Sequence, residues 1–156
     1  MIPLQRSYAI LPGHVTTPIP TNCHDDDLAR GKLVSRPPDE PTVATKIILW
    51  QRVAAVVRRF YDDLNAPSAS SPYDICLRSD RELRDILEAA PRCVDYGSDL
   101  SGWAPWVSWL RHTFQSSVAH KFLVIHRPFL GRSFAAPKFQ YSREVAVQSA
   151  RKILEL

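Results

Sequence analysis

The placement of prolines constrains the fold of this chain more than any other feature. The 156-residue sequence has thirteen prolines against five glycines, and most prolines lie in three clusters, at 3–41, 67–72 and 128–137. Because proline disfavours helix in the residue before it, these clusters are predicted to be connections. The segments between them carry strong apolar periodicity, which indicates that the chain as a whole is not disordered.

Helical periodicity is clearest directly after the first cluster, where a helix is predicted over residues 42–64. At 100° per residue, its apolar side chains follow two edges of one wide arc. An arc of this width needs partners on two sides, which is typical of a central helix in a layered helical domain. One edge carries Leu49, Val53, Val56, Phe60 and Leu64, and the other carries Ile47, Trp50, Ala54, Val57 and Tyr61.

Three further helices are predicted, over residues 72–90, 105–127 and 141–156. The helix at 72–90 has Ser71 as its N-cap and Pro72 at its first position. The inward face of that helix is predicted to carry Tyr73, Cys76, Leu83, Ile86, Leu87 and Ala90.

The helix at 105–127 has one narrow apolar stripe. Arg111 falls about 40° from the middle of this stripe, so it is expected to be partly buried and paired with a carboxylate or with carbonyls. His126 at the end of the helix is expected to act as a C-terminal capping group. The stripe consists of Val107, Leu110, Phe114, Val118, Phe122 and Ile125.

The expected fold is all-α: an incomplete helical domain of about four main helices with an extended Pro-rich N-terminal arm. The arm or linker comprises residues 1–41, with a short helical turn after Asn22, and the partial domain comprises residues 42–156. No residue in the last helix would end it, which is typical of a fragment, so apolar faces are expected to be exposed. That helix has an apolar face made of Val145, Ala146, Ser149, Ala150, Ile153 and Leu154.

Several classes of protein conflict with the composition. No apolar stretch reaches 18 residues, so no membrane span is expected, and the N-terminus does not have the pattern of a secretory signal. Cys23, Cys76 and Cys93 are odd in number and unrelated in spacing. They are therefore expected to be reduced thiols rather than part of a disulfide framework.

Charge is unevenly distributed along the chain. The net charge is +4, with +6 over residues 103–156 and −2 over residues 1–102. A basic region of this kind could contact nucleic acid, phosphates or an acidic partner. Its basic residues are scattered singly, however, so solvation or internal pairing is the favoured interpretation.

Side chains capable of metal binding or catalysis do not form a recognisable site. The Cys-His-Asp-Asp-Asp run at residues 23–27 is too short to wrap an ion alone and does not have the EF-hand pattern. His112, His120 and His126 fall on different faces of their helix. No serine lies in a nucleophile motif. The sequence therefore predicts no enzyme, and no catalytic, cofactor-binding, metal-binding or DNA-binding residue.

Tryptophans are concentrated at the start of the helix at 105–127. Trp103, Trp106 and Trp109, together with Trp50, could form an aromatic cage or a platform for stacking bases. A spacing of three is ordinarily used to pack against a neighbouring helix. A core or domain-interface role is therefore favoured.

Three motifs occur in a recognisable order. Pro20-Thr21-Asn22-Cys23-His24-Asp25-Asp26-Asp27-Leu28 comes first, then Ile125-His126-Arg127-Pro128-Phe129-Leu130, then Tyr141-Ser142-Arg143-Glu144 with Ser149-Ala150-Arg151. In this order they resemble the middle homology region of fungal zinc-cluster transcription factors, the fungal-specific transcription factor domain. The resemblance is partial and covers roughly residues 18–156. Two other family features, an Arg-Arg-x-Trp-Trp helix and a Gly-Arg-Pro sequence, are missing.

The resemblance implies a fragment of a regulatory domain without the zinc-cluster DNA-binding module. It implies a nuclear location, with the cytoplasm open for a fragment, and zinc only in the absent module. The implied partners are the transcription machinery, missing parts of the same domain, or a small-molecule effector, without sequence-specific DNA binding by this chain alone. It also implies structural roles for Asn22 and Asp25 in capping a turn and for Leu28 in inward packing. The alternative is a stand-alone helical adaptor that buries its apolar faces in a partner protein.

Overall fold

The computed structural model describes residues 12–67 and 71–156, and the first eleven residues of the predicted arm lie outside them. The described part is all-α, as predicted, and it contains no β-strand. Its helices are α1 (Asp25–Ala29), α2 (Val43–Asn65), α3 (Pro72–Glu88), α4 (Pro105–Leu130) and α5 (Gln140–Glu155), with short 3₁₀ turns at Pro12–His14, Arg92–Val94, Gly131–Phe134 and Pro137–Phe139.

Helix α2 begins with a complete capping box. The Thr42 hydroxyl accepts a hydrogen bond from the Ala44 amide at 3.1 Å, and the Thr45 hydroxyl accepts one from the Thr42 amide at 2.8 Å. One predicted edge of the helix is buried, through Leu49, Val53, Val56 and Phe60. The other edge is partly exposed: Ile47 is 56% exposed, as expected for an apolar face left uncovered, whereas Trp50 packs against Phe114 of α4.

Helix α4 is the centre of the core. All six residues of its predicted stripe are buried, each with 6% exposure or less. Helices α2 and α3 pack on one part of α4, and α5 runs back along another part of it. Helix α3 starts as predicted, with the Ser71 hydroxyl accepting from the Asp74 amide and with Pro72 in the first turn.

The end of α4 differs from the prediction. The helix passes through Pro128 and ends at Leu130 instead of stopping at Arg127. Proline removes one backbone donor from a helix, and here two contacts stabilise the final turn in spite of that loss. Phe129 is 1% exposed and packs against Tyr73 and Phe139, and the Ser133 hydroxyl donates to the Leu130 carbonyl at 2.6 Å.

Helix α5 buries a narrower face than predicted. Val145, Ala146 and Ser149 are buried against α4, where small residues permit close packing. Leu154, which was predicted to lie on the same apolar face, is 87% exposed, in agreement with the expectation that apolar faces are exposed.

Residues 22–42 form a closed loop rather than a simple extended arm. The Asn22 side-chain amide donates to three backbone carbonyls within residues 36–40, at 3.0–3.3 Å. Its carbonyl oxygen accepts from the hydroxyls of Thr42 and Thr45, at 2.7 and 2.9 Å. Asn22 therefore ties the loop to the start of α2, and does not cap α1 as predicted.

Helix α1 lies on the outside of this loop. It has no side-chain N-cap bond, so the predicted capping by Asp25 is also wrong. None of its residues is buried, and Leu28 is 51% exposed instead of packing inward. The helix is held instead by an ion pair between Asp27 and Arg36, whose charged atoms are 2.8 Å apart. No helix within the described ranges is long and apolar enough to cross a membrane.

Candidate functional site

A group of polar side chains lies where α3, α4 and α5 meet, with four members buried and two, Arg84 and Tyr141, at the surface. We call it the polar cluster. Two of the sequence motifs supply half of it: His126 comes from the Ile125–Leu130 motif, and Tyr141 and Ser142 come from the Tyr141–Glu144 motif. Helix α3 supplies the other half. The complete set is Cys76, Asp80, Arg84, His126, Tyr141 and Ser142.

His126 is at the centre of the polar cluster. It is fully buried, and its two ring nitrogens bind residues of different helices. Nε2 lies 3.0 Å from a carboxylate oxygen of Asp80 on α3, and Nδ1 lies 2.8 Å from the Ser142 hydroxyl on α5. Because a carboxylate can only accept, Nε2 carries a proton that it donates to Asp80. Nδ1 shares the second hydrogen bond of the ring with the Ser142 hydroxyl.

The predicted role of His126 as a helix cap is therefore wrong. Helix α4 continues for four residues past it, so its ring does not reach the unpaired carbonyls at the helix end. It connects three helices instead.

Asp80 receives hydrogen bonds from several directions. Besides His126, it accepts from Arg84 at 2.9 and 3.2 Å and from the Tyr141 hydroxyl at 2.7 Å. Burial raises the pKa of the Asp80 carboxyl, but the bonds from His126, Arg84 and Tyr141 outweigh burial and lower this pKa from 3.8 to about 2. Asp80 is therefore ionised at neutral pH and balanced by the Arg84 guanidinium.

Cys76 completes the polar cluster. Its thiol donates to the Ile125 carbonyl at 3.3 Å and lies 3.5 Å from Nδ1 of His126. Burial, reinforced by the nearby charge of Asp80, raises the pKa of this thiol to about 12. It is therefore a neutral thiol at neutral pH and not an activated nucleophile.

The Asp80–His126–Ser142 arrangement contains the residue types of a hydrolase triad, but its burial does not suit catalysis. Ser142 and His126 both have 0% exposure, so no substrate carbonyl can approach the hydroxyl in this structure. A nucleophile must be reachable by the group it attacks. The arrangement can tie helices together through hydrogen bonds, and that is the function its geometry supports.

Other residues considered from the sequence are dispersed. His112 binds the Tyr96 hydroxyl at 2.7 Å, and His120 is exposed. No group of three or more His, Cys, Asp or Glu side chains within residues 12–67 and 71–156 could hold a metal ion. Cys23, Cys76 and Cys93 are each buried as free thiols, so they do not fit a zinc cluster.

Arg111 pairs as predicted. It is 6% exposed, and it donates from Nε to the Cys93 carbonyl at 3.1 Å and from Nη2 to the Ser98 carbonyl at 2.9 Å. These bonds hold the segment that precedes α4 against the helix.

The tryptophans have mixed environments. Trp50, Trp103 and Trp106 are partly buried against the core, consistent with the favoured packing role. Trp109 is 55% exposed, with the Lys46 ammonium 4.3 Å from its ring centre.

Asp80 and Arg84 were not singled out from the sequence, although a signal was present. At 100° per residue, Asp80 falls between Tyr73 and Leu87 on the inward face of α3. A carboxylate on an apolar face must be paired to be buried. Arg84, one turn later, is the partner that this spacing offers.

Comparison with known proteins identifies relatives of one kind. The chain is 31% identical over 154 residues to the agnestins biosynthesis cluster transcription factor AgnL11 of Paecilomyces divaricatus, an alignment of 96% of this chain. It is 29% identical over 99% of its length to "Probable transcription factor lepB" of Aspergillus flavus, and 29% identical over 88% of its length to the transcription factor phm2 of a Pyrenochaetopsis species. The chain is similar to part of several fungal transcription factors. This confirms the resemblance predicted from the motifs at the level of fungal transcription factors.

The similarity covers a limited part of each relative. The chain spans 22%, 29% and 19% of the lengths of AgnL11, lepB and phm2. No protein-family model and no solved structure matches the chain.

Proposed function

We propose that this chain is a piece of the middle homology region of a fungal zinc-cluster transcription factor and serves in the regulation of transcription. The observation that carries the proposal is the similarity to three fungal transcription factors along nearly the whole chain. A regulatory domain of this kind acts by presenting a folded helical surface, without chemical catalysis.

The position of the motif residues supports this proposal. His126, Tyr141 and Ser142 belong to the two motifs that carry the resemblance, and all three lie in the polar cluster. Their role there is architectural, because they join α4 and α5 to Asp80 on α3. Motifs with a structural role of this kind fit a regulatory domain better than an enzyme.

DNA recognition is assigned to another module of the same protein, which would hold the zinc. The cysteines of this chain are buried singly, and its basic side chains are partly used internally. Arg111 binds backbone carbonyls, and Arg84 binds Asp80. A DNA-reading surface needs a stripe or patch of free Lys and Arg side chains. We therefore expect this chain alone to bind DNA only weakly and without sequence preference.

Exposed apolar side chains support a role in protein contacts. Ile47, Trp109, Phe134 and Leu154 are 55–87% exposed. Residues of this kind are typical of surfaces that another protein segment covers. The partners proposed are other parts of the same transcription factor or the transcription machinery, in the nucleus.

A reporter experiment tests the proposal. The chain is inserted between a heterologous DNA-binding module and an activation segment, and expression is measured from a promoter that carries the matching DNA site. We expect the insertion to change expression several-fold, and a His126→Ala variant, which disrupts the polar cluster, to abolish the change. An inert linker of the same length is the control. Expression equal to that obtained with the inert linker would contradict the proposal.

A mobility-shift assay of the isolated chain tests the DNA-binding part of the proposal. We expect only weak retardation that disappears when salt is raised to about 0.2 M, because counterion release dominates nonspecific binding. Retention of sequence-specific binding at that salt concentration would show that the chain itself reads DNA.

A further inference from the structure

A cavity of about 230 Å³ lies between α3, α4 and α5, beside the polar cluster. Its inner wall is apolar and includes the buried side chains of Val118, Phe122 and Val145. Two cationic side chains also line it: Arg84 from α3 and Lys152 from α5. The cavity therefore combines an apolar interior with positive charge contributed from two helices.

Lys152 is partly buried at the wall of this cavity. Its ammonium donates to the neutral side-chain carbonyl of Gln115 at 2.7 Å, and no carboxylate in the described part of the chain lies within ion-pair distance of it. Burial lowers the pKa of Lys152, against a weaker opposing effect from Asp95. A partly desolvated cation without a counterion is favourable for binding an anion.

Gln115 holds this ammonium in place. It is 8% exposed, and its amide nitrogen donates to the Val94 carbonyl at 2.8 Å. That bond fixes which side of the amide faces Lys152, because the donating nitrogen is already used. The position of the ammonium in the cavity is therefore set before any ligand arrives.

Arg84 supplies a second cationic group, which differs from Lys152 in being paired with Asp80. Its guanidinium carbon lies 5.0 Å from the centre of the Phe122 ring, and two of its nitrogens bind Asp80. Because Asp80 fixes one edge of the guanidinium, the charge above Phe122 is held in place.

We infer that this cavity binds a small organic anion, a carboxylate carried on one aromatic ring or a short acyl chain. The carboxylate would pair with Lys152 and Arg84, and the apolar body would lie against Val118, Phe122 and Val145. The volume is below the 300–1,000 Å³ of sites for drug-sized ligands, so the ligand is a small one. The inference deepens the proposed function and rests on it for biological meaning, because such a ligand would be an effector of the regulatory domain.

The position of the cavity gives the ligand a route to regulation. A bound carboxylate would bridge α3 and α5, which both also contribute to the polar cluster. Arg84 contacts Phe122 in the cavity and Asp80 in the polar cluster. A ligand that binds Arg84 in the cavity therefore also acts on a side chain that holds the helices together. Binding should therefore stabilise the arrangement of the three helices.

The test is a titration of the full chain with benzoate and, separately, with benzyl alcohol, which has similar size but no charge. Isothermal titration calorimetry or chemical-shift changes in NMR spectra report the binding. A ligand this small binds in the millimolar range, so titration to about 20 mM is sufficient. We expect saturable binding of benzoate and at least about tenfold weaker binding of benzyl alcohol.

Three variants of lysine residues locate the site. Lys152→Gln should weaken benzoate binding by about tenfold or more, because a charged hydrogen bond is lost. Lys152→Arg should keep most of the affinity. Lys121→Gln removes the same charge from α4 outside the cavity and should leave the affinity unchanged. Equal affinities in Lys152→Gln and Lys121→Gln would overturn the inference.

A cavity-filling variant gives an independent readout. Ser149→Leu places a larger side chain in the cavity and should abolish benzoate binding while the far-ultraviolet circular dichroism stays helical. If Ser149→Leu is misfolded, the benzoate affinity of Lys152→Gln alone tests whether benzoate binds in the cavity. Two results with the unaltered chain would overturn the inference. One is that neither benzoate nor octanoate shows saturable binding, and the other is that benzoate and benzyl alcohol bind with equal affinity. A failed titration with a positive reporter experiment would refute the ligand but leave the proposed regulatory function standing.

Discussion

Replacement of Asp80 by asparagine is the sharpest test of the polar cluster. Asp80→Asn keeps the size of the side chain and removes its charge. In the folded chain the carboxylate accepts hydrogen bonds from His126, Arg84 and Tyr141. An amide has one acceptor oxygen instead of two, so at least one of these donors loses its partner.

The magnitude follows from the pKa of Asp80. The folded chain lowers it from 3.8 to about 2, which means that the folded state favours the ionised carboxylate almost a hundredfold. Since each factor of ten is worth about 1.4 kcal/mol, the ionised form contributes roughly 2 to 3 kcal/mol to the free energy of unfolding. At 156 residues, that loss should lower the melting temperature by about 4 to 12 °C.

The pH dependence has a definite sign. Because the pKa of Asp80 in the folded chain lies below its unfolded value of 3.8, the contribution is fully present above about pH 5. It is lost as pH falls from about 5 through about 2, and below that pH both states bind the proton. The stability difference between the unaltered chain and Asp80→Asn should therefore be constant near neutral pH and shrink steadily below pH 4.

Urea denaturation followed by circular dichroism at several pH values measures this difference. Asp85→Asn is the matched control, because Asp85 is exposed on the same helix and makes no contact with the polar cluster. The control should change the free energy of unfolding by less than about 0.5 kcal/mol. If Asp80→Asn is as stable as Asp85→Asn at pH 7, or if its deficit does not depend on pH, the assigned role of the cluster is wrong.

Two further predictions concern other parts of the chain. Asn22→Ala should release the loop over residues 22–42 and lower the free energy of its local opening by about 2 to 3 kcal/mol, because five side-chain hydrogen bonds are lost. Faster hydrogen exchange of the Arg36 amide measures this effect. Asn65→Ala, on an exposed helix end, is the control. Cys76 should resist iodoacetamide at pH 8 in the folded chain and react once urea is added, because the thiol is buried and its pKa is raised to about 12. Mass spectrometry of tryptic peptides measures the labelling. Equal labelling rates in the folded and unfolded states would contradict the structure.

Sequence periodicity was sufficient for the parts of the fold that depend on local rules. The stripe of α4 repeats at helical spacing and is buried throughout, and Ser71 with Pro72 begins α3 as the capping rules predict. The burial and pairing of Arg111 also followed from its angular position, which left open whether a carboxylate or carbonyls would be the partner. The stripe and the start of α3 depend on residues within one helix, and the burial of Arg111 follows from its position on that same stripe.

The polar cluster depends on contacts that periodicity cannot supply. His126 binds Asp80, which is 46 residues away, and Tyr141 binds the same carboxylate from 61 residues away. From the sequence, His126 followed by Arg127 and Pro128 suggested a helix end. The tertiary packing of Phe129 outweighed the local effect of proline, and that single difference moved His126 from a helix end to the interior.

The polar cluster also sets the position of one cationic side chain on the cavity wall. Asp80 is buried, and replacing a buried charge together with its partners by apolar residues is often neutral or stabilising, so the stability that Asp80→Asn loses does not by itself explain why a carboxylate is at this position. Asp80 holds Arg84 at two of its nitrogens, and Arg84 in turn lies over Phe122 on the cavity wall. An apolar substitute at position 80 could preserve the core, but it would leave the guanidinium free to rotate into solvent. The charge of Asp80 is therefore best explained as orienting a cation for the cavity while it ties α3 to α4 and α5.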